Sequence, residues 1–234
     1  MSRWAIVLAG GIFCLALTVF ADVTATSTDI DNDTMIPDNG ASSDGVVSII
    51  SILDVEIIQD VSFTIHDLKH SSLGDLVAQV RYVGTGTGNG GGNNPNSAPL
   101  FFRVGVEGTA LPGDKSNLLG DYTFTSNFLV DPDTSLWSEA ANTAEEDVVD
   151  PNINYYASDA TGAFFDIKKH WFGGTTSGDW ELKLIDQNDF GSEIGSFDGW
   201  TINFDSTTAI PEPAGATAIF VGGIAILLRR RRNG

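Results

Sequence analysis

Apolar residues recur at every second position through most of this chain, and that pattern constrains its fold more than any other feature. Val61, Phe63 and Ile65 alternate with Ser62, Thr64 and His66. Leu76, Ala78 and Val80 alternate with Val77, Gln79 and Arg81. Trp180, Leu182 and Leu184 alternate with Glu181, Lys183 and Ile185, and Trp200, Ile202 and Phe204 with Thr201 and Asn203. Successive side chains on a strand point to opposite faces, so each set reads as a half-buried strand. Stretches 46–53, 100–106 and 121–125 add further strands, and no stretch between the two terminal segments holds a helical period. Many short strands divided by Gly, Asp and Asn predict an all-β protein, a jelly-roll-like β-sandwich. The regular pattern begins near Ile36, and residues 22–35, rich in Thr, Ser, Asp and Asn, read as a linker. About 185 residues lie between the terminal segments, enough for one domain with a sizeable core.

Both termini carry processing signals. Arg3 precedes an apolar stretch, 4–20, and Val19 and Ala21 take the −3 and −1 positions of a cleavage site before Asp22. A basic start, an apolar middle and a small residue at the cut form a secretory signal peptide, here 1–21. Cys14 lies inside it, behind the bulky Phe13, which argues against a lipid-attachment site, and the processed chain has no cysteine and so no disulfide. At the other end, Pro211, Glu212 and Pro213 precede an apolar run, 214–228, and then Arg229, Arg230, Arg231 and Arg232. As a helix the run would rise only ~22 Å against a ~30 Å hydrocarbon core, enough for a transient hold, with the arginines on the cytoplasmic side. The formal net charge is −19, and removing both ends would take away five of 12 basic residues but one of 31 acidic ones. Such a surface has nothing to neutralise phosphates, which excludes nucleic acid as a partner, and it favours divalent cations.

Residues 84–99 are rich in Gly and Asn, but Pro and a strand follow them instead of a helix N-terminus, so they read as a surface insertion and not a phosphate loop. Residues 129–160 hold eight acidic residues and are expected to be exposed and poorly packed. Catalytic motifs are lacking. There is no Gly-x-Ser-x-Gly elbow, no His-Glu-x-x-His helix and no cysteine ligand set, and Ser177 has no base beside it in the sequence. The three histidines, His66, His70 and His170, read as structural or surface residues, and the chain as a non-enzyme. Calcium is the expected cofactor, because it takes six to eight oxygen ligands. Its candidate ligands are Asp29, Asp31 and Asp33, alternately spaced but without the Gly and distal Glu of an EF-hand; Asp186 with Asp189; and Asp75 with Asp179.

The C-terminal unit, 206–234, resembles the PEP-CTERM sorting signal of Gram-negative bacteria. That resemblance implies export through the inner membrane, signal peptidase and exosortase as processing partners, a transient membrane-spanning helix at 214–228, and release to the cell surface or exterior. The segment 36–205 resembles the P domain (P/Homo B domain) of subtilisin-like proprotein convertases. The resemblance rests on His70-Ser71-Ser72-Leu73-Gly74-Asp75-Leu76, on His170-Trp171-Phe172-Gly173-Gly174, on Gly178-Asp179-Trp180-Glu181-Leu182, on Asp198-Gly199-Trp200-Thr201-Ile202, and on an opening Ile36-Pro37-Asp38. In that family the domain is a β-sandwich that stabilises a neighbouring serine endopeptidase, a domain for which this chain leaves no room. Gly74 and Gly178 read as turn formers, Asp75 and Asp179 as acceptors for loop N–H groups, and Trp180 and Trp200 as core residues whose indole N–H needs a partner. The expected function is that of an exported non-catalytic module acting in interaction or structure. Two alternatives stand beside it: an accessory domain working in trans with a subtilisin-like protease, and a module that binds carbohydrate such as an exopolysaccharide.

Overall fold

Eleven strands and two short helices make up the computed structural model, which describes residues 20–27, 34–38, 45–83, 97–106, 113–126, 134–187 and 195–207. In chain order they are β1 (Phe20–Thr26), β2 (Thr34–Ile36), β3 (Val46–Ile52), β4 (Ile57–His70), β5 (Leu76–Tyr82), β6 (Ser97–Phe102), β7 (Leu118–Thr125), α1 (Leu136–Ala140), β8 (Asn154–Tyr155), α2 (Ile167–Trp171), β9 (Gly178–Asp186), β10 (Gly195–Phe197) and β11 (Gly199–Thr207). The strands form an all-β sandwich of two sheets. Seven strands build the larger one, where β4 pairs with β11 and β10 along one side and with β7 along the other. β1 flanks β11, β2 flanks β10, and β8 flanks β7. The smaller sheet runs β3-β9-β5-β6. Every pairing is antiparallel except the two-residue β7–β8 contact.

The period-two sets meet between the sheets. Val61, Phe63 and Ile65 of β4 and Ile202 and Phe204 of β11 face Trp180, Leu182 and Leu184 of β9, all essentially buried. Aromatic rings bridge the layers: Trp180 lies 5.2 Å from Phe204, and Phe101 stacks on Phe124 at 5.7 Å. Trp171, Trp180 and Trp200 are completely buried. A buried aromatic of this size removes ~150–250 Å² from water, on the order of 4–6 kcal/mol of transfer free energy before ordering costs.

Four expectations need correction. First, the segment read as a linker, 22–35, supplies strands: Asp22–Thr26 of β1 pair with 201–205 of β11, and β2 pairs with β10. An edge strand covered on one face only needs few apolar residues, so its composition looks like a linker's. Second, the sheet therefore begins at Phe20 and ends at Thr207, wider than 36–205 at both ends. Third, the acidic stretch is packed, with Leu136, Ala140, Val149, Tyr155 and Ala157 buried. Its carboxylates make the turns: Asp159 accepts from the Thr161 and Ala163 N–H groups, and Asp150 from Asn152. Fourth, β6 ends at Phe102, because Arg103 (φ 36°) and Gly105 (φ 77°) turn the chain out of the sheet. The two five-residue helices were not expected either, being too short to show a period. Asp166 caps α2 by accepting from the Lys169 N–H. Among the described residues no helix is long and apolar enough to cross a membrane. The run 214–228, Pro211, Glu212, Pro213, the four arginines and residues 84–96 lie outside the described residues, while 97–99, read as the end of the surface insertion, belong to β6.

Candidate functional site

The motif residues are spent on the fold. Gly74 sits in a 3₁₀ turn, Leu73–Asp75, where a Cβ would come within 2.3 Å of the Gly113 and Asp114 backbone. Gly178 has φ +131° and lies against the Tyr82 ring. Leu76 is fully buried at the start of β5. The Trp180 Nε1–H donates to the Thr176 carbonyl (2.9 Å), and the Trp200 Nε1–H crosses the sandwich to Ser48 Oγ (3.1 Å). His170 packs edge-on against Trp171, and its burial holds its pKa below the ordinary imidazole value.

His70 ends β4 in a buried polar node. Its Nδ1 lies 2.8 Å from the Ser72 carbonyl and its Nε2 3.2 Å from Asp186 Oδ2. Asp75 is beside them: its carbonyl accepts from the Gln187 N–H, and its Oδ1 is buried without a hydrogen-bond partner among the described residues. Asp179 is not. Leu76, the neighbour of Asp75, pairs with Asp186, seven residues further along β9 than Asp179, or ~23 Å at ~3.3 Å per residue. The two carboxylates cannot share an ion, and Asp179 instead accepts from the Ser51 hydroxyl (2.6 Å). Among the described residues no three His, Asp or Glu side chains are grouped as a metal would require. Asp29, Asp31, Asp33 and Asp189 lie outside the described residues.

A different set of side chains converges on the outward face of the large sheet. Alternation sends Thr24 and Thr26 of β1, Thr201, Asn203 and Asp205 of β11, Asp60, Ser62, Thr64 and His66 of β4, and Asp121, Thr123 and Thr125 of β7 to that face. Register then lines them up across the strands. One row runs Thr26–Thr201–Thr64–Thr123–Asn154, and the next runs Thr24–Asn203–Ser62–Thr125. Neighbours bond within the rows: Thr64 and Thr123 Oγ1 are 2.9 Å apart, Thr26 and Thr201 Oγ1 3.1 Å, and the Thr24 hydroxyl donates to Asn203 Oδ1 (2.8 Å). A groove of about 220 Å³ opens here, lined by Asp60, Ser62, Thr123, Asn154, Asn203 and Asp205 among others. At one end Asp22, Asp205 and Asp60 form a third row, with Lys168 Nζ 3.1 Å from Asp60 Oδ2.

At the other end His66 joins Asp121 (Nδ1 to Oδ2, 3.1 Å) and Thr201 (Nε2 to Oγ1, 2.7 Å). Partial burial pulls the Asp121 carboxyl upward, but the Asp67 N–H and His66 outweigh it and hold it below the usual range. This Asp–His–Thr chain has the connectivity of a nucleophile relay. Thr201, however, sits mid-strand between β4 and β1, where backbone N–H groups belong to the two ladders. Its position there makes the His66 link a hydrogen bond across the sheet, from β4 to β11. The sequence reading missed this face. Its signal is the short polar–apolar–polar triplet, Thr24-Ala25-Thr26, Ser62-Phe63-Thr64, Thr123-Phe124-Thr125 and Thr201-Ile202-Asn203, repeated on four strands.

No family model and no curated protein sequence matches the chain. Among solved structures it is similar to the serine protease of Aeromonas sobria, at 13% identity and a TM-score of 0.37 over 82% of this chain and 28% of that one. It is similar also to that protease in complex with its chaperone, at 12% identity and the same TM-score, over 82% of this chain and 27% of the other. The chain thus spans little more than a quarter of the length of these proteins.

Proposed function

We propose that this chain is an exported, non-catalytic β-sandwich binding module whose ligand surface is the outward face of the seven-stranded sheet. One observation carries the reading. Four adjacent strands turn short hydroxyl, amide and carboxylate side chains to one face, around a groove. Side chains that both donate and accept hydrogen bonds, held on rigid strands, are suited to an oxygen-rich ligand. The signal peptide and the sorting tail supply the export part of the proposal, with the working protein at the cell surface or in the matrix around it.

The test pairs binding with processing. Glycan arrays and retention on cell-surface polysaccharide should show ligands for the processed chain, and Thr123→Arg with Asn203→Arg, which fills the groove, should abolish binding without lowering the melting temperature. Unchanged binding by that variant sinks the assignment of the face. Mass spectrometry of protein recovered from cells should find an N-terminus at Asp22 and no terminal arginines; full-length chain persisting in the inner membrane would overturn the export reading. The P-domain resemblance adds a subtilisin-like protease to the partners worth testing. Capture of such a protease by the groove-filled variant as well would favour the accessory-domain alternative.

A further inference from the structure

Charge is distributed unevenly over the proposed ligand face, and this narrows what can sit there. The groove floor is neutral, built from Ser62, Thr123, Thr125, Asn154 and Asn203, while Asp60 and Asp205 stand at one end with Asp22 beside them. Asp60 is nearly buried and satisfied: its Oδ1 accepts from the Val61 N–H (2.9 Å) and its Oδ2 meets Lys168. Asp205 is exposed and hydrogen-bonded to Asp22, a contact between two acids. Burial first, then the charges of Asp22 and Asp60, pushes its carboxyl above the ordinary range, with Lys168 opposing. A cation delivered to Asp205 and Asp22 would relieve that repulsion. An anionic polymer would meet both these carboxylates and a chain of net charge −19.

The neutral rows narrow the class further. β11 and β4 are interior to the sheet, so along the groove floor their backbones offer no free edge for an extended peptide to pair with, and β8 covers the outer edge of β7 at Thr123 and Phe124, beside the groove. The lining side chains are short, which leaves no deep apolar pockets for peptide side chains. Hydroxyls and amides spaced ~4.7–4.9 Å across the strands instead present alternating donors and acceptors to ring hydroxyls. The groove is smaller than the ~300–1,000 Å³ of a drug-sized pocket, as befits a few sugar units lying along an open face.

We infer that this face binds a glycan bearing free amino groups, with an ammonium at Asp205 and Asp22 and ring hydroxyls along Ser62, Asn203, Thr123 and Asn154. This rests on the reading of the outward face as the ligand surface. The test is calorimetric titration of the processed chain with a β-1,4-linked glucosamine hexamer and with its fully N-acetylated counterpart, at about pH 6, where ordinary carboxylates are ionised. The amine form should bind at least about tenfold tighter, a difference of ~1.4 kcal/mol. Asp205→Asn should remove that preference while its melting temperature holds or rises, and added salt should weaken the amine form selectively. Equal affinity for the two hexamers overturns the inference while leaving the ligand face intact. Failure to bind the glucosamine hexamer, or equally tight binding of an oligolysine of the same charge, overturns it too.

Discussion

Gly178 shows how much one position can depend on a missing side chain. Its φ of +131° is a conformation L side chains rarely adopt, and a Cβ would lie 2.7 Å from the Tyr82 ring. That ring is itself held, its hydroxyl donating to the Ser177 carbonyl (2.7 Å) and its face 5.0 Å from Trp180. Gly178→Ala should therefore cost about 1–3 kcal/mol, from backbone strain and a displaced core ring, measurable by chemical denaturation. No loss of stability would mean the turn relaxes freely. Asp205 behaves in the opposite sense. An acid whose carboxyl is pushed up in the fold binds its proton more tightly there than in the unfolded chain. That contribution is present at low pH and is lost as pH rises from the ordinary carboxylate value through the raised one. Asp205→Asn should thus melt higher than the parent at neutral pH, with the difference vanishing below about pH 4, where both forms are uncharged. A variant that melts lower at neutral pH would show that Asp205 pairs favourably with Lys168 instead.

Strand β1 illustrates what an element gains from context. Alone, Phe20–Thr26 has Val23 and Ala25 as its partly buried apolar positions among the residues whose side chains are described, yet seven pairings with β11 hold it in the sheet. It also extends the proposed ligand face by adding Asp22, Thr24 and Thr26 to the rows. Cleavage before Asp22, as proposed, would leave five of those pairings in place. A chain begun at Ser27 has none, and its β11 would become an exposed edge. Such a chain should melt lower and aggregate more readily than one begun at Asp22, as thermal scans with light scattering would record. Indistinguishable melting would show that β1 is dispensable. At the same scale, α2 was illegible because five residues make little more than one turn. What it does is tertiary: Ser126 Oγ accepts from the Ile167 N–H, Lys168 reaches Asp60, and Trp171 fills the core 5.4 Å from Phe63.

For the whole molecule, a net charge of −19 on one small protein sets its response to salt. Repulsion among exposed carboxylates reaches ~30 Å at ~10 mM salt but only ~8 Å at ~0.15 M. The melting temperature should rise over that range, and a fall would mean that attractive pairs such as Lys168–Asp60 and Arg81–Glu181 dominate. Much of the fold was legible. The alternation on β4, β5, β9 and β11 identified each strand and the face it buries, because period two is a local property of the backbone. Trp180 and Trp200 are buried with their indole N–H groups bonded, and Gly74 sits in a tight turn, features that follow from indole size and local turn geometry. The candidate site was not legible. Asp75 and Asp179 look equivalent in sequence, each following a Gly at a strand start, yet antiparallel pairing sends them to opposite ends of β5 and β9.

By itself, then, the sequence determined the class of architecture, the residues that fill its core and the net acidity of the chain. These follow from backbone periodicity, side-chain volume and charge, which need no neighbour to be read. Only the tertiary structure decided that β11 lies between β1 and β4, and that Thr26, Thr201, Thr64 and Thr123 fall in one row, with Asp22, Asp205 and Asp60 two rows away. Strand order and register are set by how two sheets bury their apolar faces together, a collective choice among residues far apart in the chain. The surface that results on the other side of those strands is a consequence of that choice, and no single strand carries it.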